Sequence, residues 1–174
     1  MYVGGIDWGR HSDYTSAIRL AARPNKLLID RFVRLKNGPW DEIVATVAPI
    51  VAGSSRVLSD GTGVGDALTD RIPNATGVII VSSSRGRRLT QNRISVGVTS
   101  LIQPLVLAVN TGVLEAHCPA PELEAELKQF VVKFTSKKGS PRFEARQGHD
   151  DTVYALALAI YAARGDLYVN KSAA

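Results

Sequence analysis

The sequence predicts an α/β domain built on a mixed sheet, and two observations support this prediction. Residues 2–8, 15–22 and 26–35 are apolar stretches with short polar connections, which indicates three consecutive antiparallel strands. After about residue 40, helical and strand patterns alternate, which favours further strands added in parallel. With 174 residues, 45% of them hydrophobic, the chain is long enough to bury a full core as one domain.

The alternating segment begins after the turn residues 37–39. A helix is predicted over residues 40–51 because its apolar residues recur at helical spacing, Asp41 and Glu42 stand in its first turn, and Gly53 follows its end. The next predicted elements are a strand at 56–60, a helix at 64–72 and a strand at 76–82.

The second half of the chain is predicted to be mostly helical. Apolar residues recur at helical spacing from about residue 90 to 110, which predicts a long helix with a kink at Pro104 and a stop at Gly112. The remaining predicted elements are a helix at 121–130, a hairpin with strands 131–135 and 142–145 around a basic tip, and a helix at 152–163. The last helix is apolar on nearly every side and is therefore expected to be buried.

Aspartates stand at the ends of three of these elements. Asp7 closes the first strand, Asp60 closes the strand at 56–60, and the pair Asp150 and Asp151 opens the last helix. Gathered carboxylates repel by roughly 4 kcal/mol per pair at 4 Å and an effective dielectric constant near 20, so a divalent cation is the usual reason for such a cluster. An all-oxygen set, in a chain with the single cysteine Cys118, favours Mg²⁺ or Mn²⁺ over Zn²⁺.

Each of these residues also has a structural interpretation. Asp7 is a possible turn former, and an acid at the position of Asp150 or Asp151 commonly caps a helix. The glycine-rich residues 61–65 after Asp60 do not complete a phosphate-binding G-x-G-x-x-G motif, because the third glycine is replaced by an aspartate. A lone histidine such as His149 is more often a structural residue than a ligand.

Two basic stretches are candidates for phosphate contacts. Lys and Arg exceed Asp and Glu by 21 to 16, and residues 84–93 and 133–146 hold much of the excess. Exposed cations bind phosphates without reading bases, although a charge run is usually only a solvated surface. The candidate DNA-binding residues are Arg85, Arg87, Arg88, Arg93, Lys137, Lys138 and Arg142.

Several motifs together resemble the C-terminal nuclease domain of tailed-phage terminase large subunits. The matching segments are residues 5–9 with 15–17, 59–65, 126–130, and 148–151 before the alternating Ala and Leu residues 155–159. The resemblance covers nearly the whole chain. It implies a ribonuclease H-like fold, in which a five-stranded mixed sheet is flanked by helices on both faces.

The resemblance also implies an activity and a set of ligands. The activity is endonucleolytic cleavage of double-stranded phage DNA during genome packaging, with two Mg²⁺ or Mn²⁺ ions bound by Asp7, Asp60 and Asp150. We expect Asp7 to bridge ions about 4 Å apart, with Asp60 and Asp150 completing one shell each and Asp151 auxiliary. Arg88 or Arg93 is expected to replace a lysine found near the start of the long helix in the family.

The partners implied by the resemblance are double-stranded DNA, a terminase ATPase motor domain, the small terminase and the portal, in the cytoplasm of the host. No apolar run reaches membrane length. The chain has no G-x-x-x-x-G-K-[ST] loop, so residues 1–174 are interpreted as one nuclease domain without the motor. It is then either an excised domain or a free-standing relative.

Three other protein classes compete with this interpretation. An actin-like or sugar-kinase ATPase also opens with a Gly-Ile-Asp-x-Gly strand but needs two such domains around its nucleotide. A Holliday-junction resolvase of the same fold is similar in size and charge, and its preference for branched DNA distinguishes it. A DNA-binding or docking module without activity is the third class, and the retained aspartates speak against it.

Overall fold

The computed structural model describes residues 1–9, 13–82, 86–134, 141–145 and 149–164. Its strands are β1 (Tyr2–Asp7), β2 (Thr15–Arg23), β3 (Lys26–Leu35), β4 (Arg56–Asp60), β5 (Ala75–Val81), β6 (Arg87–Thr90), β7 (Arg93–Gly97), β8 (Leu114–Ala116), β9 (Phe130–Phe134) and β10 (Pro141–Ala145). Its helices are α1 (Trp40–Val51), α2 (Val64–Thr69), α3 (Val98–Asn110), α4 (Pro121–Gln129) and α5 (Asp151–Ala163).

Eight of the strands form one mixed sheet in the order β6-β7-β5-β4-β1-β2-β3-β8, and β9 and β10 form a separate hairpin. Strands β1, β2 and β3 are antiparallel neighbours, whereas β4 is parallel to β1 and β5 is parallel to β4. The five predicted strands are therefore adjacent, with the predicted directions. Strands β7, β6 and β8 extend the sheet beyond the five that were predicted.

Helices cover both faces of the sheet, as predicted. On one face, α3, α4 and α5 pack against residues such as Val3, Leu58 and Val78. On the other, α1 and α2 pack against Ile6 and Val57. Because successive side chains of a strand point to opposite faces, odd residues of β1 and even residues of β4 lie on the first face, which we call the α5 face.

The long helix predicted from residue 90 begins only at Val98. Residues 87–97 instead form the antiparallel strands β6 and β7. The apolar residues Ile94 and Val96 alternate with the polar Ser95, as in a strand, but the spacing from Ile94 to Val98 also fits a helix. The expectation that Arg88 or Arg93 stands at the start of this helix is therefore wrong, because both residues lie on strands.

The other elements begin and end close to their predicted bounds. Helix α5 starts one residue earlier than predicted, and nearly all of it is buried, as its composition required. Strands β9 and β10 pair as the predicted hairpin, whose tip lies outside the described residues. The three-residue strand β8 was not predicted. No helix in the described part of the chain has the length and apolar character needed to cross a membrane.

Candidate active site

Two of the candidate aspartates lie side by side at one edge of the sheet. In the parallel pairing of β1 with β4, Ile6 is opposite Ser59, so the next residue on each strand is Asp7 and Asp60. Asp7 has the same parity as Val3, and Asp60 the same parity as Leu58, so both carboxylates belong to the α5 face. The β1–β4 register thus brings these two carboxylates together.

Helix α5 approaches β1 at a glycine. A Cβ atom on Gly5 would lie 2.0 Å from the Ala155 carbonyl oxygen and 2.5 Å from the Ala159 nitrogen, so only glycine admits the helix at this depth. Asp151 lies four residues before Ala155, which is a rise of roughly 6 Å along the helix. Asp7 lies two residues after Gly5, which is a similar rise of roughly 6–7 Å along the strand. The contact therefore sets the start of α5 at the level of Asp7.

Asp60 is held by the turn that follows it. Its Oδ1 atom accepts hydrogen bonds from the Thr62 backbone N–H at 3.0 Å and from the Thr62 hydroxyl at 2.7 Å. On the opposite face of the sheet, the Trp8 indole N–H donates to the Ser59 hydroxyl at 2.6 Å, and Thr69 is hydrogen-bonded to Ser59 at 3.0 Å. This buried network ties the ends of β1 and β4 together directly behind the two aspartates.

Asp150 and Asp151, at the start of α5, have different surroundings. Asp150 occupies the N-cap position, but its side chain makes no capping hydrogen bond. The Asp151 carboxylate accepts a long hydrogen bond of 3.4 Å from the Tyr14 N–H and lies 3.6 Å from the His149 imidazole. The His149 ring packs edge-on against Tyr14, with 4.9 Å between centroids. Asp151 is therefore tied to the loop after β1.

The acids at this edge act on one another through their charges. Burial raises the pKa of Asp7 well above its ordinary value, and the negative charges of Asp60, Asp151, Asp150 and Asp13 raise it further. Asp13 lies in the connection from β1 to β2, and its carboxylate is 3.7 Å from His149. A carboxylate surrounded in this way gains most from a nearby cation.

Burial raises the pKa of Asp151 to about 6, against the lowering effect of the Tyr14 hydrogen bond and of His149. The folded protein therefore binds a proton at Asp151 more tightly than the unfolded chain, whose aspartates titrate near pH 4. Stability from this group is present at low pH and is lost as pH rises from about 4 to 6. In EDTA, the melting temperature should be higher at pH 5 than at pH 7.

The Asp151→Asn variant serves as the control for this pH effect. We expect it to reduce the difference in melting temperature between pH 5 and pH 7, measured by scanning calorimetry. The exposed acids Glu115 and Glu124 have pKa values lowered by lysine partners, so their contributions change only below about pH 4.5 and leave this window untouched. An unchanged pH dependence in the variant would contradict the raised pKa of Asp151.

The residues present suit a hard divalent cation. Among the described residues, no three acidic, histidine or cysteine side chains are already grouped closely enough to hold a metal ion. The carboxylates that raise the pKa of Asp7 nevertheless supply only oxygen donors. Ser16, opposite Asp7 in the β1–β2 register, is fully buried, and its hydroxyl has no hydrogen-bond partner among the described residues. A polar group in this position fits a site that takes a polar ligand beside Asp7.

Comparison with solved structures gives a consistent result. The large terminase nuclease from thermophilic phage G20c superimposes with a TM-score of 0.69 and 25% identity, over 92% of this chain and 81% of that one. The chain has the fold of a large-terminase nuclease domain. The family resemblance inferred from the sequence motifs is confirmed at the level of structure.

Two further terminase nuclease domains show the same fold. That of Thermus phage P74-26 has a TM-score of 0.67 and 24% identity, over 91% of this chain and 77% of that one. That of bacteriophage SPP1, solved with bound Mn, has a TM-score of 0.62 and 14% identity, over 92% and 85%. No protein-family model matches the sequence, and no curated protein matches it. The likeness to terminase nucleases is therefore a likeness of fold more than of sequence.

The candidate DNA-binding residues have different surroundings in this terminase nuclease fold. Arg87 and Arg88 are exposed on the edge strand β6, where Arg88 donates to the carbonyls of Thr90 and Gln91 at 3.1 and 3.0 Å. The Arg93 guanidinium is mostly buried and paired with Asp66 and Asp70, the latter at 3.0 Å. Arg85, Lys137 and Lys138 lie outside the described residues, as does the side chain of Arg142, whose backbone belongs to β10.

Two acids near the site were not assigned a role from the sequence. Asp13 has no motif around it, but any acid in the short connection from β1 to β2 returns to the edge that holds Asp7. Glu126 is buried on α4 and contacts the start of α5. Its signal was an acid one helical turn after the buried Leu123, on the apolar stripe of an otherwise polar helix.

Proposed function

We propose that this chain is a metal-dependent endonuclease that cleaves double-stranded phage DNA during genome packaging. The observation that carries the proposal is the gathering of Asp7 and Asp60 with the start of α5 on one edge of a terminase nuclease fold. A carboxylate cluster on a sheet edge, with no side-chain nucleophile assigned beside a base, favours hydrolysis by water.

The solved relatives support a divalent cation. The G20c terminase nuclease has been crystallised with bound magnesium and with bound cobalt, and the SPP1 domain with bound Mn. In this chain we propose that Asp7, Asp60 and Asp150 would hold two Mg²⁺ or Mn²⁺ ions. The ions, when bound, lower the pKa of the attacking water and stabilise the leaving 3′ oxygen.

The protein residues orient the site and handle protons. Thr62 fixes the Asp60 carboxylate by two hydrogen bonds, so this ligand needs little reorganisation. Asp151, with its pKa raised to about 6, is suited to accept the proton that the attacking water loses. In the reaction, a water oxygen bonds to phosphorus, the bond from phosphorus to the 3′ oxygen breaks, and the products are a 3′ hydroxyl and a 5′ phosphate.

Plasmid cleavage tests the proposal directly. Supercoiled DNA should become nicked and linear in millimolar Mn²⁺ or Mg²⁺ and stay intact in EDTA. A branched duplex and a linear duplex of the same sequence should be cut at similar rates. Cutting confined to the branched substrate would indicate a junction resolvase of the same fold, and binding without any cutting would indicate a docking module.

We further propose that exposed cations hold the DNA backbone. Through the registers of β6, β7, β5 and β4, Arg88 is level with Asp60, and Arg87 lies one residue further toward the end of the sheet at which Asp7 and Asp60 stand. Arg93 is already neutralised by Asp66 and Asp70, so it adds little to this surface. The other candidates remain the proposed phosphate contacts: Arg85, Arg87, Arg88, Lys137, Lys138 and Arg142.

Replacing both Arg87 and Arg88 by alanine should weaken duplex binding equally for all sequences. Each phosphate contact contributes about 0.9 to the slope of log affinity against log salt, so losing two contacts flattens that slope by up to roughly two units. The Lys137→Ala, Lys138→Ala double variant should behave in the same way. Fluorescence anisotropy at several salt concentrations measures both quantities.

The matched control is Arg23→Ala with Arg56→Ala, which also removes two exposed cations. Both residues lie at the opposite edge of the sheet from Asp7, because Tyr2 and Val3 begin β1 beside them. Their loss should leave the salt slope nearly unchanged. If the two arginine pairs weaken binding to the same extent, the attraction is only the net charge of the protein, and β6 is not a DNA contact.

The remaining parts of the proposal follow from the family. Residues 1–174 would act as a nuclease domain alongside an ATPase motor domain, the small terminase and the portal, inside the infected host cell. A pull-down of purified motor domain by this chain, with and without DNA, tests the first of these partners.

A further inference from the structure

The first turn of α5 is capped by a residue from another helix. An aspartate at the N-cap normally accepts a hydrogen bond from a backbone N–H two or three positions on, but Asp150 makes no such bond. The N–H of Thr152 donates instead to Oε2 of Glu126 at 2.9 Å, and the Thr152 hydroxyl donates to the same oxygen. Glu126 therefore occupies the capping role that the sequence position gives to Asp150.

Glu126 is held in this place from its other side. Its Oε1 atom lies 2.9 Å from Nη2 of Arg34 on β3, and both side chains are largely buried. The Arg34 guanidinium in turn lies over the Tyr14 ring, 3.6 Å from its centroid. A buried carboxylate that contacts a guanidinium on one side and a helix N-terminus on the other is held in position from both sides.

We propose that Glu126 is a positioning residue: by capping α5 itself, it keeps the Asp150 carboxylate out of the capping role and oriented for the cation. Without Glu126, the N–H of Thr152 would lose its acceptor, and an aspartate at the N-cap position of Asp150 is the residue that ordinarily caps an N–H two positions on. The Asp150 carboxylate would then turn onto its own helix and away from Asp7. The inference rests on the proposed function, because it assigns Asp150 to a bound cation.

A simpler role for Glu126 is a buried ion pair that stabilises the packing of α4 on α5. The two roles make different demands on the side chain. Capping needs an oxygen acceptor at the full reach of a glutamate, and an uncharged amide oxygen provides it. An ion pair with Arg34 needs the negative charge, and a shorter aspartate keeps that charge.

The test compares Glu126→Gln with Glu126→Asp, measuring Mn²⁺ binding to the full chain by titration calorimetry without DNA. Glu126→Gln retains the acceptor, so its Mn²⁺ dissociation constant should stay within about twofold of the wild-type value. Glu126→Asp is one methylene shorter and loses contact with Thr152, so its dissociation constant should rise by about tenfold or more, as for other residues that orient a metal ligand. Glu126→Ala should resemble Glu126→Asp.

A double-mutant cycle shows whether the effect passes through Asp150. In an Asp150→Asn background, Glu126→Asp should leave the remaining Mn²⁺ affinity unchanged, because the ligand that it positions is already gone. An equal loss of affinity in both backgrounds would overturn the inference. So would an Asp variant that binds Mn²⁺ like wild type, or a Gln variant as weak as the Asp variant.

These outcomes are separable from failure of the proposed function. Wild-type protein that binds no Mn²⁺ and cuts no DNA contradicts the nuclease proposal itself, and the role of Glu126 fails with it. Wild-type protein that binds and cuts, with the same Mn²⁺ dissociation constant in all Glu126 variants, contradicts only the positioning role.

Discussion

Plasmid cleavage by the Asp7→Asn variant is expected to fall by about a thousandfold or more while the protein stays folded. Asp7 lies at the centre of the charge cluster, and a bound metal ion contributes several kcal/mol of stabilisation to the transition state. Since each 1.36 kcal/mol is a factor of ten in rate, losing about 4 kcal/mol gives a loss near a thousandfold. Gel assays of plasmid nicking at saturating Mn²⁺ measure the rate, and circular dichroism checks the fold.

The same substitution should stabilise the metal-free protein. The pKa of Asp7 is raised in the folded state, so above its unfolded pKa the folded protein is penalised for keeping the carboxylate ionised. Asparagine removes that penalty, and the melting temperature in EDTA at pH 7 should rise by about 2–4 °C for each kcal/mol gained. Mn²⁺ at a hundredfold excess over Kd should stabilise wild type by about 2.7 kcal/mol and the variant much less.

Asp30→Asn is the control for this pair of effects. Asp30 forms a 2.6 Å ion pair with Arg19, away from the cluster, so its replacement should lower the melting temperature and leave cleavage intact. If Asp7→Asn also lowers the metal-free melting temperature, the acids at this edge do not strain the fold. If it cuts DNA as fast as wild type, the assignment of the active site is wrong.

The second large effect is expected at Gly5. An alanine Cβ there would meet the backbone of α5 at 2.0 Å, and backbone atoms have no rotamer by which to withdraw. Helix α5 would have to move off the sheet, at an expected cost of about 3 kcal/mol or more in the free energy of unfolding. Urea denaturation measures that cost, which corresponds to roughly 6–12 °C in melting temperature for a domain of this size.

Alanine substitutions at two other glycines provide comparisons in which a smaller loss of stability is expected. Gly4→Ala would meet the Val51 side chain at 2.9 Å, which is able to shift, so its cost should be smaller. A Cβ on Gly38 would have no neighbour within 4 Å, and Gly38→Ala should change stability by less than about 0.5 kcal/mol. Because α5 also carries Asp150 and Asp151, Gly5→Ala should lower Mn²⁺ affinity as well as stability. Equal stability of the three variants would contradict the close contact of α5 with β1.

The sequence predicted the elements whose pattern is local. Strands β1, β2 and β3 have apolar runs bounded by turn residues, and α1 has helical spacing with acids at its start, so their bounds were nearly correct. The β6–β7 hairpin was missed because Ile94 and Val96 fit two periodicities, and only pairing with β5 decides between them. Strand β8 is too short to leave a pattern of its own.

Some residues of the candidate site were likewise predictable from the sequence, and others were not. Asp7 and Asp60 were predictable together because the carboxyl ends of adjacent parallel strands meet at one edge. The roles of Asp13 and Glu126 were not, because they depend on how a loop returns and on how α4 packs against α5. The pKa of Asp151 likewise follows from burial, which a list of residues does not contain.

The two outermost strands of the main sheet, β6 and β8, have features that disfavour pairing with strands of another molecule. An exposed edge strand offers unpaired backbone groups to any other chain, and short length or charged side chains prevent that pairing. Within the described sheet, β8 is only three residues long, and the four exposed residues of β6 include Arg87 and Arg88. Because charged side chains on an outermost strand disfavour such pairing, the double alanine variant of Arg87 and Arg88 requires a light-scattering check that it remains monodisperse before any loss of DNA binding is assigned to phosphate contacts.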